Sequence, residues 1–496
     1  VGTEPLPDLD IRRVPRRSVT GYSEAVNDLV ALHEQRKPFE DLEGAIVRLA
    51  LERPGELHDD AVDALRYLVR FAKMHLVRNE RGEDINLSDR LRPVARRIRE
   101  RLSPPILDAK DLWLAMREAP ALIQEVREQR TRIVQNTALD PESLHAEVCT
   151  RQLVVACSGG GGSGYGYAGA WTLLHRRGLQ PELIAGTSIG ALMGLFRARR
   201  RVYDGIPLVE ASKRLSWDTV FRVLDMDSRY GIPATLRLYL RSAIGSLFQT
   251  PEGQPLTFQD LEIPLLVVTT GIGIEAFKHD MKFYEHFMDD AIKPGVRMGA
   301  GRVRQFMQIA TIFRDFMSTP DALREVVFGQ DPATYAADIL DAAGFSASIP
   351  GFIHYDVLRD DRRMKALLDD LYARYGITRL SEGGLVNNLP ARPAWNEVQN
   401  GRIGRRNPFV LALDCFAPRL LGNPVFYGIQ QVVRPNVQRN LPYANLYFPM
   451  KKVLSPLNLV PELPDVTNAM RWTMEELATE MPFIERMCNP IAGLPG

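Results

Sequence analysis

The sequence predicts an α/β protein with a mainly parallel central sheet flanked by helices, preceded by an all-α N-terminal region. Three observations carry this. Residues 23–147 place apolar residues at helical spacing with little strand signal. Two successive strand-loop-helix units follow, one starting at Gln152 and one at Glu182. Further short apolar runs at 263–269 and 409–413 read as buried strands.

The helical region rests on stretches such as Glu43-Gly-Ala-Ile-Val-Arg-Leu-Ala-Leu and Ala61-Val-Asp-Ala-Leu-Arg-Tyr-Leu-Val-Arg-Phe. It also holds a basic run, Arg90, Arg92, Arg96, Arg97, Arg99 and Arg101, interleaved with Leu91, Val94, Ile98 and Leu102. That pattern reads first as a solvated helix face, with a surface for phospholipid head groups as the alternative. At 496 residues the chain exceeds one typical domain. The expected division is a tail at 1–22, the helical region at 23–147, an α/β domain at 150–420 and a C-terminal extension at 421–496.

In the first α/β unit, Gln152-Leu-Val-Val-Ala-Cys is continuously apolar and leads through Ser158 and a glycine cluster into a helix ending near Arg177. In the second, Glu182-Leu-Ile-Ala leads through Gly186-Thr-Ser-Ile-Gly190 into Ala191-Leu-Met-Gly-Leu-Phe. Repetition of this unit implies parallel strands with sites at their carboxyl ends. Residues 279–345 read as a helical insertion, with Phe306, Met307, Ala310, Phe313, Phe316 and Met317 on one face. A core helix is one reading of that face. A lid or acyl-chain groove is the other, because Met and aromatic side chains adapt to a hydrocarbon ligand.

Composition excludes several classes of function. With 45% hydrophobic and 25% charged residues the chain is globular, and 62 Lys and Arg against 61 Asp and Glu give no global field for nucleic acid. Any charge-driven contact with a membrane must be local. Cys149, Cys157, Cys415 and Cys488 show no C-x-x-C spacing, so neither a disulfide framework nor a zinc site is expected. No apolar stretch approaches 18 residues, so no spanning helix is expected. The expected location is the cytoplasm or a peripheral membrane surface, with export left open because the chain starts at Val1.

Gly186-x-Ser188-x-Gly190 fits a nucleophile elbow, in which small neighbours permit a sharp turn that projects Ser Oγ from the end of a strand. The string alone arises by chance in roughly one chain in ten of this length. Its place between an apolar strand and an apolar helix is the context that gives it meaning. The glycine run 159–162, with Gly164, lacks the lysine of a phosphate-binding loop and matches a dinucleotide loop only through its many glycines. A linker is another reading, but linkers do not separate a buried strand from its helix. An oxyanion hole built from backbone N–H groups is the third.

A nucleophilic serine needs a base, and the last histidine is His354, too early for the Ser, acid, His order of an α/β-hydrolase. A Ser-carboxylate dyad is the economical alternative. Its best candidate is Glu382 in Ser381-Glu-Gly-Gly-Leu-Val-Asn-Asn-Leu-Pro390, where two glycines permit a tight turn.

Together these pieces resemble the patatin-like phospholipase family over roughly 153–416. Ser158-Gly-Gly-Gly-Gly-Ser-Gly164 looks like its oxyanion loop, Ala185-Gly-Thr-Ser-Ile-Gly-Ala-Leu192 its nucleophile elbow and Glu382-Gly-Gly-Leu-Val-Asn-Asn-Leu-Pro390 its Asp-Gly-Gly loop. Thr257-Phe-Gln-Asp-Leu before Pro264-Leu-Leu-Val-Val-Thr-Thr, and Ser346-Ala-Ser-Ile-Pro350, are similar as well. Two positions depart from the family: Ser163 stands where it usually has Arg or Lys, and Glu382 where it has its catalytic Asp.

The resemblance implies a serine acyl hydrolase of the lipid esterase or phospholipase A type. Ser188 would attack a fatty acyl ester, the N–H groups of Gly160, Gly161 and Gly162 would hold the oxyanion, and Glu382 would act as base, with His354 and Asp356 in reserve. It implies no metal or other cofactor, a phospholipid or other acyl-ester substrate and contact with a peripheral membrane surface. The two departures motivate the alternatives of a weak or inactive patatin-fold lipid-binding or interaction protein, or an acyltransferase.

Overall fold

The computed structural model describes residues 19–223, 229–232, 234–273, 322–358, 360–418 and 424–494. Most of the expected tail, and residues 279–321 of the expected insertion with their apolar face at 306–317, lie outside the described residues.

The N-terminal region is helical: α1 (Val19–Glu52), α2 (Asp59–Ala72), α3 (Ser88–Ser103), α4 (Leu112–Asn136) and α5 (Pro141–Cys149). A small hairpin, β1 (Leu76–Arg78) with β2 (Asp84–Asn86), interrupts it. In α3 the stripe Leu91, Val94, Ile98 and Leu102 is buried, and the arginines point outward. Arg92, Arg96, Arg97 and Arg101 pair with Asp89, Glu100, Glu125 and Glu118, which makes the basic run a solvated, ion-paired face.

The chain then builds a seven-stranded sheet from β3 (Gln152–Cys157), β4 (Leu183–Thr187), β7 (Leu265–Ile272), β8 (Leu323–Phe328), β10 (Arg379–Ser381), β11 (Pro408–Asp414) and β12 (Leu446–Pro449). Strands β12, β11, β3, β4 and β7 are parallel neighbours in that order. A smaller sheet joins β5 (Phe221–Val223), β6 (Ala234–Leu238) and β9 (Gly351–His354). Strand β3 is buried along its whole length because helices cover both faces of the sheet. Leu153, Val155 and Cys157 join the core beneath α6 (Tyr167–Arg176) and α7 (Ile189–Ala198), whereas Val154 and Ala156 meet Ala391, Ala394 and Trp395.

Two expectations are corrected. Within the segment expected to be helical, Leu323–Phe328 forms β8, antiparallel to β7. Val326, Val327 and Phe328 are buried there, so sheet pairing decides the conformation of a short apolar run that periodicity alone leaves ambiguous. The segment expected as a C-terminal extension beyond the 150–420 domain is also part of its sheet, because β12 continues the central sheet and the helix Leu463–Leu477 packs on α6.

A buried ionic cluster joins the N-terminal helices to this sheet. Glu43, fully buried, accepts from Arg70 at 2.6 Å, Arg151 at 3.1 Å and Lys73 at 3.2 Å. Arg36 donates to Gln399 Oε1 and Arg406 O, both at 2.9 Å. Against the opposing effect of burial, Arg70, Lys73, Arg151 and Arg66 hold the Glu43 carboxyl, and Arg151, Lys73 and Arg36 that of Glu40, below the ordinary range. Among the described residues, no helix is long and apolar enough to cross a membrane.

Candidate active site

The geometry of β7 brings two distant loops together. β8 runs along one edge of β7 over Val267–Ile272, so β4 and β10 must share the other edge. They meet head-on: Thr187 pairs with Val268, and Ser381, arriving from the opposite direction, pairs with Thr270. Ser188 and Glu382 are the next residues of the two strands, so register alone delivers both to one place.

Ser188 has φ +54° and ψ −123°, a conformation that costs a non-glycine residue roughly 1–3 kcal/mol and persists only where its surroundings enforce it. Here they do. A Cβ on Gly186 would lie 2.5 Å from Gly190 C, and one on Gly190 would lie 2.4 Å from Cys157 O, so the turn closes only with glycine on both sides. Ser188 N donates to Ser346 Oγ at 2.8 Å, and Ser346 Oγ donates to Val268 O at 2.5 Å. Ser346 thus anchors the elbow to the sheet.

Glu382 is fixed through its backbone: its N–H donates to Ser348 O at 2.9 Å and its carbonyl accepts from Thr270 Oγ1 at 2.7 Å. Its carboxyl is buried. Oε1 accepts from Gly384 N at 3.3 Å, and Oε2 has no hydrogen-bond partner among the described residues. Burial pushes this carboxyl up to about 8, with the nearby Ser188 hydroxyl and the Gly384 N–H pulling it partly back. Among the described residues no hydrogen bond joins the Ser188 hydroxyl to this carboxyl, and bonds of this kind often form only once a substrate binds.

The start of the glycine loop sits between these groups. A Cβ on Gly159 would be 2.7 Å from Asn388 Oδ1, 3.1 Å from Ser188 Cβ and 3.5 Å from Glu382 Oε1. Gly161 is left-handed at φ +56°, which turns the chain into the short helix Gly161–Gly166. Gly162, expected among the oxyanion donors, departs from that role, since its N–H is donated to Pro456 O at 2.9 Å. Gly159 N is likewise donated to Asn388 O at 3.1 Å, which leaves the N–H groups of Gly160 and Gly161. Ser163 Oγ donates to Gly160 O at 2.6 Å, so it braces the loop and brings no charge to it.

The reserve bases are occupied elsewhere. Asp356 Oδ2 accepts from the N–H groups of Arg229 at 2.6 Å and Tyr230 at 3.2 Å. His354 is fully buried, with Nδ1 2.9 Å from Ile232 O, and burial lowers its pKa.

A cavity of about 100 Å3 has Ser188 and Gly161 in its wall and is mainly apolar, with Leu192, Phe196, Leu208, Leu240 and Ile244 among its lining. Sequence reasoning did not find this lining, which comes from α7, the helix Ile206–Arg214 and the helix Leu240–Ile244. It also missed the part played by Pro456, since nothing local marks a backbone carbonyl as the partner of a distant loop.

Residues 155–395 match the model of the patatin-like phospholipase family. The chain carries a patatin-like phospholipase domain. The matched span starts within β3 and ends within the helix Ala391–Gln399, so it contains Ser188, Glu382 and the glycine loop. The helical N-terminal region and the C-terminal segment that supplies β12 and Pro456 lie outside the matched patatin span. Patatin-like proteins are in general lipid acyl hydrolases. No curated protein matches the chain.

Proposed function

We propose that the protein hydrolyses fatty acyl esters of lipids, with Ser188 as nucleophile and Glu382 as general base. The observation that carries this reading is the convergence, on one edge of β7, of a strained serine and a buried carboxyl beside an apolar cavity. Glu382 takes the Ser188 proton as Oγ bonds to the ester carbonyl carbon. The carbonyl electron pair moves to oxygen, where the Gly160 and Gly161 N–H groups meet the charge; one such donor is worth about 3 kcal/mol. Collapse of the intermediate breaks the ester bond, and the departing alkoxide takes the proton from Glu382. Water then attacks the acyl-serine, again giving its proton to Glu382, and collapse releases the fatty acid as Ser188 regains the proton. The cavity receives the acyl chain.

The lipid arrives from a membrane surface in this reading. Exposed Trp217 and Lys213 line a groove that shares Ser212 and Leu215 with the acyl cavity, and an indole beside a cation suits the head-group region. In this reading membrane contact lies at the cavity, beside the exposed Trp217.

The test is a fluorophosphonate probe and 4-nitrophenyl butyrate with the full chain and its Ser188→Ala variant. Expected are labelling and hydrolysis by the former only. A folded protein that neither labels nor hydrolyses would leave a lipid-binding role, and acyl transfer to an added alcohol in preference to water would make it an acyltransferase.

A further inference from the structure

The helix Pro424–Asn440 lies outside the matched residues 155–395, yet one of its side chains stands directly behind the candidate dyad. Asn436 is fully buried and uses both ends of its amide on the loop that carries Glu382. Its Nδ2 donates to Gly384 O at 2.8 Å, and its Oδ1 accepts from Asn388 N at 3.0 Å. Gly384 is the residue whose N–H donates to Glu382 Oε1. Asn388 in turn brackets Gly159, taking the Gly159 N–H on its carbonyl at 3.1 Å and donating from Nδ2 to Gly159 O at 3.4 Å.

One amide therefore ties the carboxylate loop to the first residue of the glycine loop. Asn436 is itself held from below, where Asn440 Nδ2 donates to its carbonyl at 2.8 Å. The chemistry of the side chain matters here. Gly384 offers an acceptor and Asn388 a donor, and a side chain with one donor end and one acceptor end satisfies both at this buried position.

We propose that Asn436 is a positioning residue for the hydrolysis assigned above, holding Glu382 and the glycine loop in one alignment; the inference rests on that assignment. Without the amide, Gly384 O and Asn388 N are buried and unpaired, and the loop re-aims to satisfy them. Movement of about 1 Å at a catalytic group can cost a hundredfold in rate. The Gly384 N–H that lowers the Glu382 pKa turns away in the same movement.

The experiment compares the full chain with Asn436→Ala, Asn436→Asp and Asn436→Gln in 4-nitrophenyl butyrate hydrolysis from pH 5 to 9.5. Ser188→Ala is the baseline, and Asn407→Ala is a buried-amide control whose partners, Glu147 O and Thr150 O, lie at the N-terminal boundary. For Asn436→Ala, kcat falls 10- to 100-fold with KM within about twofold, and the acid limb of kcat/KM moves to higher pH. Asn436→Asp, buried as Glu382 is, carries its charge only towards the alkaline end of this range, where it keeps the acceptor, loses the donor and adds a negative charge, so the limb moves to higher pH there. Asn436→Gln, which has both groups, recovers part of kcat. Asn407→Ala loses stability without either change.

An active protein that Ser188→Ala inactivates, but whose kcat and acid limb are untouched in the Asn436 variants, overturns the positioning role and leaves the dyad standing. Should Asn436→Ala fail to fold, Asn436→Asp with an unmoved limb overturns it equally. Activity that survives Ser188→Ala, or a wild-type chain that neither labels nor hydrolyses, removes the dyad and this inference with it.

Discussion

Replacing Glu382 by glutamine should make the protein inactive and more stable, by an amount that grows with pH. The carboxyl is only 6% exposed, and burial holds it at about 8 against an ordinary 4.5. An acid with a raised folded pKa keeps its proton in the native state at a pH where the unfolded chain has lost it, so stability falls as pH rises from 4.5 towards 8. Each pH unit in that window costs about 1.4 kcal/mol, giving about 3 kcal/mol at pH 7 and approaching about 5 kcal/mol above pH 8. Glutamine has the shape of the protonated acid and no charge to bury, so Glu382→Gln escapes this cost. The assay is urea unfolding of both proteins from pH 4 to 9, with the difference between them as the readout, so that other titrating groups cancel. The two should coincide near pH 4.5, and at pH 7 the variant should also melt roughly 3 °C higher, given about 1 °C per kcal/mol for a chain of this size. A gap that is constant between pH 5 and 8, or a variant less stable than its parent at pH 7, refutes the reasoning.

Three further outcomes follow from the same groups. Because Glu382 must be ionised to accept the Ser188 proton, kcat/KM should fall about tenfold per pH unit below an apparent pKa near 8, and a level profile from pH 6 to 8 would assign the base elsewhere. Glu43→Ala leaves Arg70, Lys73 and Arg151 buried around a missing anion and should lose about 3–5 kcal/mol in denaturant unfolding, whereas a loss under 1 kcal/mol would mean the cluster is rehydrated. Ala211→Phe, which projects into the apolar cavity, should reduce kcat/KM for a decanoyl ester at least tenfold more than for a butyryl ester; equal losses would show that the acyl chain lies elsewhere.

Much of the site was legible because its parts are local. A sharp turn between a buried strand and a helix needs glycine at fixed offsets, so Ser188 could be read from five residues and their flanks. Glu382 was readable for the same reason, its loop needing glycine at 383, where a Cβ would lie 2.2 Å from Val268 O. Other parts left no local trace. Strand β8 reads as a short apolar run in a helical neighbourhood, and only the open edge of β7 makes it a strand. Gly162 looks like its neighbours, but a carbonyl from Pro456, nearly 300 residues later, takes its N–H.

The sequence by itself determined the two α/β units, the strained serine and the absence of a late histidine, because each depends on residue types within a few positions of one another. Only the tertiary structure decided that β4 and β10 meet head-on along β7, that the carboxyl is dry enough to hold its proton, and that Asn436 stands behind it. Those are properties of pairing, desolvation and contact between residues far apart in the chain, and no local pattern encodes which distant group will fill the space.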